Sequence, residues 1–218
     1  PSKPESYTLV TGLLREVIEM HPECRYVHLG CDEVYSLCTC AACRSAYGGS
    51  KERTFIDFLN RLIAFTADRG KIPIFWHDML DQCPADELAK LDPRAQVMIW
   101  LYNGRNIDDD VTRLARKFRS AGVGVMGAPA VRCWDERDDQ NYPNVLNRIE
   151  NVQQWMGTAE KNGISCLVGT NWTGAFSLGV PYGIFETTWY PMLFMADLCW
   201  NRRAQAKTRT RKSASEAG

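Results

Sequence analysis

The chain has 218 residues, 45% hydrophobic and 24% charged, with 26 Lys+Arg against 26 Asp+Glu. This suits a soluble globular chain with one sizeable core or two small domains. A formal net charge of zero gives no electrostatic ground for nucleic acid or an anionic membrane as partner, and no apolar run reaches the roughly 18 residues of a membrane span.

The opening residues, PSKPESY, carry no initiator Met and no signal peptide, so the true N-terminus is expected upstream. Leu9, Val10, Leu13, Leu14, Val17 and Ile18 recur at helical spacing and predict a helix over 6–20. His21-Pro22 ends it, and a buried strand is expected over 25–31. Phe55, Ile56, Leu59, Leu62 and Ile63 predict a second helix over 52–69, with Gly70 as its C′ residue. A strand follows over 72–77, then a short helix near 84–91 and a strand over 96–102.

Asp108–Asp110 place negative charge at the start of a helix over 109–120, where the macrodipole favours it. A fourth strand is expected over 123–131, a helix over 143–161, a fifth strand over 165–170 and a last helix over 182–200. The tail 201–218 loses apolar periodicity and reads as disordered, leaving 1–200 as the ordered portion. Alternating strands and helices with unbroken apolar strands predict an α/β fold with a parallel sheet covered by helices. The sheet belongs either to a doubly wound fold or to part of a (β/α)8 TIM barrel, which when whole needs about 250 residues and eight strands.

Polar and aromatic residues cluster after each strand: Asp32 and Glu33; Trp76, His77 and Asp78; Trp100, Tyr102 and Asn103; Trp134 and Asp135; Asn171 and Trp172. In a barrel this rim builds the active site. Aromatic faces beside carboxylates suit a sugar, whose apolar ring faces stack while its hydroxyls take hydrogen bonds. Strand alternation puts His28, Gly30 and Asp32 on one face, with Glu33 reached as the strand turns into its loop. Neighbouring carboxylates cannot easily flank a glycosidic bond at the about 5–5.5 Å of the two-carboxylate retaining scheme. They suit one acid/base and one orienting carboxylate, or else a plain helix cap.

The stretch HLGCDE (28–33) resembles the H-x-G-x-D-E signature on the fourth strand of glycoside hydrolase family 20, the β-N-acetylhexosaminidases. VYSL after it and the later FWHDML are most similar to the hexosaminidase D branch. The resemblance covers nearly all of the ordered chain and implies a partial (β/α)8 TIM barrel holding strands four to eight, the C-terminal portion of a catalytic barrel. It implies an exo-acting, retaining, substrate-assisted hydrolysis of terminal N-acetylglucosamine or N-acetylgalactosamine, without a cofactor. By the same resemblance Glu33 is the catalytic acid/base and Asp32 the carboxylate that holds the acetamido N–H. Trp76, Trp100 and Trp172 enclose the acetamide and sugar ring, and Tyr102 donates to the acetamido carbonyl. His28 is a relay or a core histidine, and Asp78, Trp134 and Asp135 complete the substrate-binding set.

The sequence departs from the family in two places. The early strands are missing, and with them an arginine that grips sugar hydroxyls; and Trp172-Thr173-Gly174 stands where family members carry Trp-x-Glu. A five-strand portion cannot close a barrel, so the missing N-terminal half is the expected partner beside N-acetylhexosamine glycans, and the isolated chain is expected to be inactive. A binding-only barrel remnant is the alternative.

Other signals carry less. GVGVMG (122–127) satisfies a dinucleotide fingerprint, but a helix precedes it and the glycines lie inside a strand, so it is rejected. The Asn171-Trp172-Thr173 sequon falls on the expected rim, where a glycan would block the site. Nine cysteines are an odd number for a disulfide framework. Cys24, Cys31, Cys83, Cys133, Cys166 and Cys199 read as small buried hydrophobes, favouring a reducing, cytoplasmic compartment. Cys38, Cys40 and Cys43 form a rival centre, a loop tied by structural zinc, although zinc takes four ligands and no fourth lies nearby.

Overall fold

The computed structural model describes residues 1–102, 106–132, 144–172 and 188–201. Two units form, residues 1–100 with 111–126, and residues 101–110 with 127 onward.

In the first unit, strands β1 (Tyr26–His28), β2 (Ile72–Trp76), β3 (Gln96–Trp100) and β4 (Gly124–Ala128) lie side by side in that order. The β1–β2 and β2–β3 pairings are parallel, with Val27 opposite Pro73 and Phe75 opposite Val97. Sequence order without reversal is the order of a barrel wall; a doubly wound sheet reverses at its switch point. Ile74, Phe75, Val97, Met98 and Ile99 are buried, as expected for strands covered on both faces.

Helix α3 (Lys51–Ala67) covers this sheet with the expected face: Phe55, Ile56, Leu59, Leu62 and Ile63 are all buried. Each such side chain contributes about 1.5–3 kcal/mol when fully buried. Ser50 caps the helix by accepting from the Arg53 N–H at 3.2 Å. Helix α5 (Ile107–Ser120) buries Val111, Leu114 and Phe118, the last standing edge-on to Phe75 with ring centroids 6.3 Å apart.

Helix α1 (Pro4–Met20) forms where periodicity placed it, but its apolar face is only partly covered, with Val10, Leu14 and Ile18 half-buried. Leu9 is 65% exposed, Leu13 56% and Val17 48%; Thr11 is its one buried residue. Two elements were not expected. Helix α2 (Ala41–Tyr47) starts at Cys40, whose sulfur accepts from the Cys43 N–H, and a 3-10 turn spans Asp78–Leu80. The short helix α4 (Ala85–Leu88) lies within the expected range.

In the second unit the expected fourth strand breaks at Pro129, which has no N–H to donate. The end of β4 is followed by β5 (Ala130–Arg132), and the Ala130 N–H turns to the Asn151 side-chain oxygen at 2.9 Å. The expected fifth strand is reduced to a bridge at Leu167 and to β6 (Thr170–Asn171), paired parallel with β5. Behind them pack α6 (Val145–Lys161) and α7 (Trp189–Trp200), joined through Val131, Val152, Met195 and Leu198. Gly127 is required here: a Cβ would stand 2.4 Å from the Trp155 ring and 2.6 Å from Leu167. It lies inside a strand, as expected, and its packing role comes from Trp155 and Leu167. The 182–187 part of the last expected helix and the tail from 202 lie outside the described residues.

Candidate active site

The stretch that carries Asp32 and Glu33 does not continue as a strand. β1 stops at His28, and Gly30, Cys31 and Glu33 all take the left-handed conformation, with φ of 70°, 71° and 51°. The alternation argument that put His28, Gly30 and Asp32 on one face therefore fails after His28. Glycine adopts such angles freely, but Cys31 and Glu33 do so at a cost of about 1–3 kcal/mol each. Strain of that size persists only where the surroundings over-determine it.

The surroundings do so through four bonds. The Gly30 N–H donates to His28 Nδ1 at 3.0 Å, and the Gly30 carbonyl accepts from the Trp76 N–H at 3.1 Å. The Glu33 N–H donates to Asp78 Oδ2 at 2.8 Å, and the Val34 N–H meets the Met79 sulfur at 3.2 Å. The last two partners come from the 3-10 turn after β2, so the loop after one strand is held by the loop after its neighbour. Asp32 and Glu33 themselves are exposed.

Around them stand three of the expected residues. Trp76 is buried at the end of β2, its indole centroid 4.4 Å from the His28 imidazole. Trp100, at the end of β3, donates its indole N–H to Asp78 Oδ1 at 3.3 Å. Each oxygen of Asp78, expected among the substrate-binding residues, accepts a bond from the protein. Desolvation raises the Asp78 pKa, opposed by the bonds from Glu33 and Trp100. His28 has its pKa lowered by desolvation, with Asp32 opposing. Cys31 is pushed up to about 12 by desolvation and by Asp32 and Asp78, so it stays a thiol at neutral pH.

Two residues escaped sequence reasoning. The Tyr35 phenol has its pKa raised, and the Glu33 carboxylate is the leading cause. Met79 holds Val34, and nothing in its residue type announces that role. His77, named on the rim, is buried, with its ring 5.5 Å from that of Trp100.

In the second unit, Tyr102 and Trp172 are brought together: the indole N–H of Trp172 donates to the Tyr102 oxygen at 2.8 Å, and Thr170 Oγ1 lies 3.4 Å from the same atom. An indole nitrogen can only donate, so the phenol oxygen is the acceptor. Asn103, Trp134 and Asp135 lie outside the described residues.

The cysteines do not follow expectation. Cys83 is buried, but Cys24, Cys166 and Cys199 are exposed, Cys31 is half-buried and Cys133 lies outside the described residues. Cys40 caps α2, and Cys43 meets the Ser2 hydroxyl at 3.0 Å. Among the described residues no group of three or more His, Cys, Asp or Glu stands where it could hold a metal ion, Cys38, Cys40 and Cys43 included.

The profile of the glycosyl hydrolase family 20 catalytic domain matches residues 1–163. The chain belongs to glycosyl hydrolase family 20. This family 20 chain is 28% identical over 182 residues to hexosaminidase D of Bos taurus, which covers 80% of the chain and 52% of that protein. It is 28% identical over 181 residues to hexosaminidase D of Homo sapiens, covering 80% of the chain and 37% of that protein. The chain thus spans about half, or less, of the length of the curated relatives it matches. Among solved structures, the β-N-acetylhexosaminidase of Bacteroides fragilis superposes with a TM-score of 0.52 at 18% identity, covering 69% of the chain and 30% of that structure. That likeness is one of fold, and the α/β architecture with its parallel sheet fits a TIM-barrel-like family 20 domain.

Proposed function

We propose that the chain is the C-terminal portion, strands four to eight, of the catalytic barrel of a β-N-acetylhexosaminidase that removes terminal N-acetylglucosamine or N-acetylgalactosamine with retention. The observation that carries this reading is the Asp32-Glu33 pair, turned out of the end of a parallel strand on a strained, heavily bonded loop in a family 20 chain. Strain held in place by the fold accompanies functional sites more often than plain loops.

In this reading the substrate supplies its own nucleophile. The 2-acetamido oxygen attacks the anomeric carbon as Glu33 protonates the departing glycosidic oxygen, giving an oxazolinium intermediate and the free alcohol. Glu33, now a carboxylate, takes a proton from water, which opens the intermediate from the face the leaving group vacated, so the configuration is retained. Asp32 holds the acetamido N–H and offsets the positive charge that develops on the acetamide. Trp76 and Trp100 offer flat faces to the acetamide and the sugar ring; for Trp172 and Tyr102 of the second unit, joined by the indole N–H, the family resemblance implies contacts with the same substrate group. Trp134 and Asp135 retain their expected binding roles.

The missing N-terminal half supplies the remaining strands, and the partly uncovered face of α1 together with the edge position of β1 supports that assignment. The deciding experiment is hydrolysis of aryl β-N-acetylglucosaminide and β-N-acetylgalactosaminide by the protein with its complete barrel, beside Glu33→Gln. Turnover that collapses in Glu33→Gln supports the reading; unchanged turnover in that variant overturns the acid/base. Binding of the glycosides without turnover in the wild type favours a carbohydrate-binding barrel.

A further inference from the structure

Within the first unit, one side chain touches both sides of the chemistry proposed above. Asp78 Oδ2 accepts from the peptide N–H of Glu33 at 2.8 Å, and Asp78 Oδ1 accepts from the Trp100 indole N–H at 3.3 Å. The first of these is the peptide that joins Asp32 to Glu33. Fixing its plane fixes the direction in which both carboxylates leave the backbone. The second sets the rotation of a tryptophan proposed to wall the acetamide.

The bond to Glu33 falls where the backbone most needs it. Glu33 sits at φ 51° and Cys31 at φ 71°, conformations a non-glycine residue leaves when nothing restrains it. Met79, next to Asp78, restrains the following peptide by receiving the Val34 N–H. Two consecutive side chains of one turn thus hold two consecutive peptides of the loop. Asp78 is half-buried and placed near Asp32 and Cys31, so it is a charge the fold keeps at some cost in desolvation. A plain capping residue would need no such position.

We infer that Asp78 is a positioning residue for the acid/base. Its carboxylate clamps the Asp32–Glu33 peptide and the Trp100 indole in one arrangement, so that Glu33 meets the glycosidic oxygen rather than solvent. This rests on the hexosaminidase reading. It differs from a substrate contact, which would change sugar affinity and leave proton delivery alone. It differs also from a purely structural role, which would change every substrate alike.

Asp78→Asn separates these possibilities, because it keeps one acceptor oxygen and offers an amide N–H₂ to the other donor; only one of the two bonds survives. The measurement is kcat/KM, which reports the steps up to departure of the aryl group, for aryl β-N-acetylhexosaminides with a poor and with a highly acidic leaving group. The protein with its complete barrel is used, as wild type, Asp78→Asn and Glu33→Gln. A poor leaving group needs the proton from Glu33, and an acidic one departs without it. Misplacing the acid by a fraction of an ångström to about 1 Å can cost on the order of 10²-fold, so Asp78→Asn is expected to lose about that factor on the poor leaving group and several-fold or less on the acidic one.

Equal losses on both substrates, or a rise in KM alone, overturn the positioning role. Activity on the poor leaving group that survives Glu33→Gln overturns instead the reading on which it rests, so the two failures are distinguishable. Should Asp78→Asn lose its cooperative thermal transition, Met79→Leu removes the neighbouring restraint and keeps the bulk. It is expected to give the same leaving-group-selective loss at smaller size, and indifference to the leaving group there overturns the inference.

Discussion

The indole N–H of Trp172 donates to the phenol oxygen of Tyr102 at 2.8 Å, joining two residues 70 positions apart in the chain. Tyr102→Phe removes the acceptor and leaves the indole donor without it. The loss of one such bond costs about 1 kcal/mol of stability, read as a small fall in melting temperature. If the same hydroxyl donates to the acetamido oxygen, kcat falls by on the order of 10²–10³-fold in the complete barrel, with KM little changed. A normal kcat in a variant that melts lower would leave Tyr102 a structural residue.

The left-handed backbone at Cys31 makes an unusual prediction about substitution. At an ordinary loop position, Gly is less stable than Ala because it loses more freedom on folding. At φ 71° the order reverses: Cys31→Gly should be more stable than Cys31→Ala by about 1 kcal/mol, since an L side chain in that region costs about 1–2 kcal/mol. Comparing the two variants cancels the loss of the thiol, and denaturant midpoints measure the difference. Ala at or above Gly would show that the loop leaves this conformation in solution.

His28 predicts a pH dependence with a defined sign. The Gly30 N–H occupies Nδ1 at 3.0 Å, so protonating that nitrogen would sacrifice the bond, and desolvation lowers the imidazole pKa below 6.5 while Asp32 opposes. Below pH 6.5 the unfolded chain therefore binds a proton that the folded chain resists. Stability is fully present above that pH and is lost as pH falls through the window beneath it. His28→Asn keeps an acceptor for Gly30 and should flatten this part of the profile; an unchanged slope would locate the dependence elsewhere.

Gly127 offers a test of packing in the second unit. A Cβ there would stand 2.4 Å from Trp155 and 2.6 Å from Leu167, too close to relax without moving ring or backbone. Gly127→Ala should lose about 1–3 kcal/mol, measured by equilibrium unfolding. A neutral result would mean that Trp155 has a second rotamer available.

These cases show where the sequence is informative. The buried face of α3 and the strands β2 and β3 follow from spacing alone, because a periodic run of Phe, Ile and Leu has one way to hide from water. That Asp32 and Glu33 come after the end of a strand also follows, because the apolar run stops before them. The early end of β1 does not, because Cys31 and Glu33 are residue types that carry no mark of positive φ; long-range bonds from Asp78 and Met79 impose it. Pro129 did carry its mark, the absent N–H that splits β4 from β5. The bonds that Asp78 accepts from Glu33 and Trp100 are not legible either, because residue type and rim position are the same for a carboxylate that binds sugar and for one that binds a peptide N–H.

Helix α1 shows a different limit, and it yields the last prediction. Leu9, Leu13 and Val17 are half of the six-residue stripe expected of a helix packed on a sheet, yet they are 65%, 56% and 48% exposed. A stripe of this kind is ordinarily hidden, so in the proposed complete barrel it is expected to bury against the preceding strand and helix. The double variant Leu13→Lys, Val17→Lys separates the two situations. In the 218-residue chain alone it should shift stability by no more than about 0.5 kcal/mol, as surface substitutions do, while reducing self-association. In the longer protein the same pair would place two ammonium groups in an apolar contact and cost several kcal/mol, seen as a large fall in melting temperature and loss of hydrolysis. Equal, small effects in both contexts would mean that the upstream polypeptide does not cover α1, and the assignment of this chain to one part of a continuous barrel would fall with it.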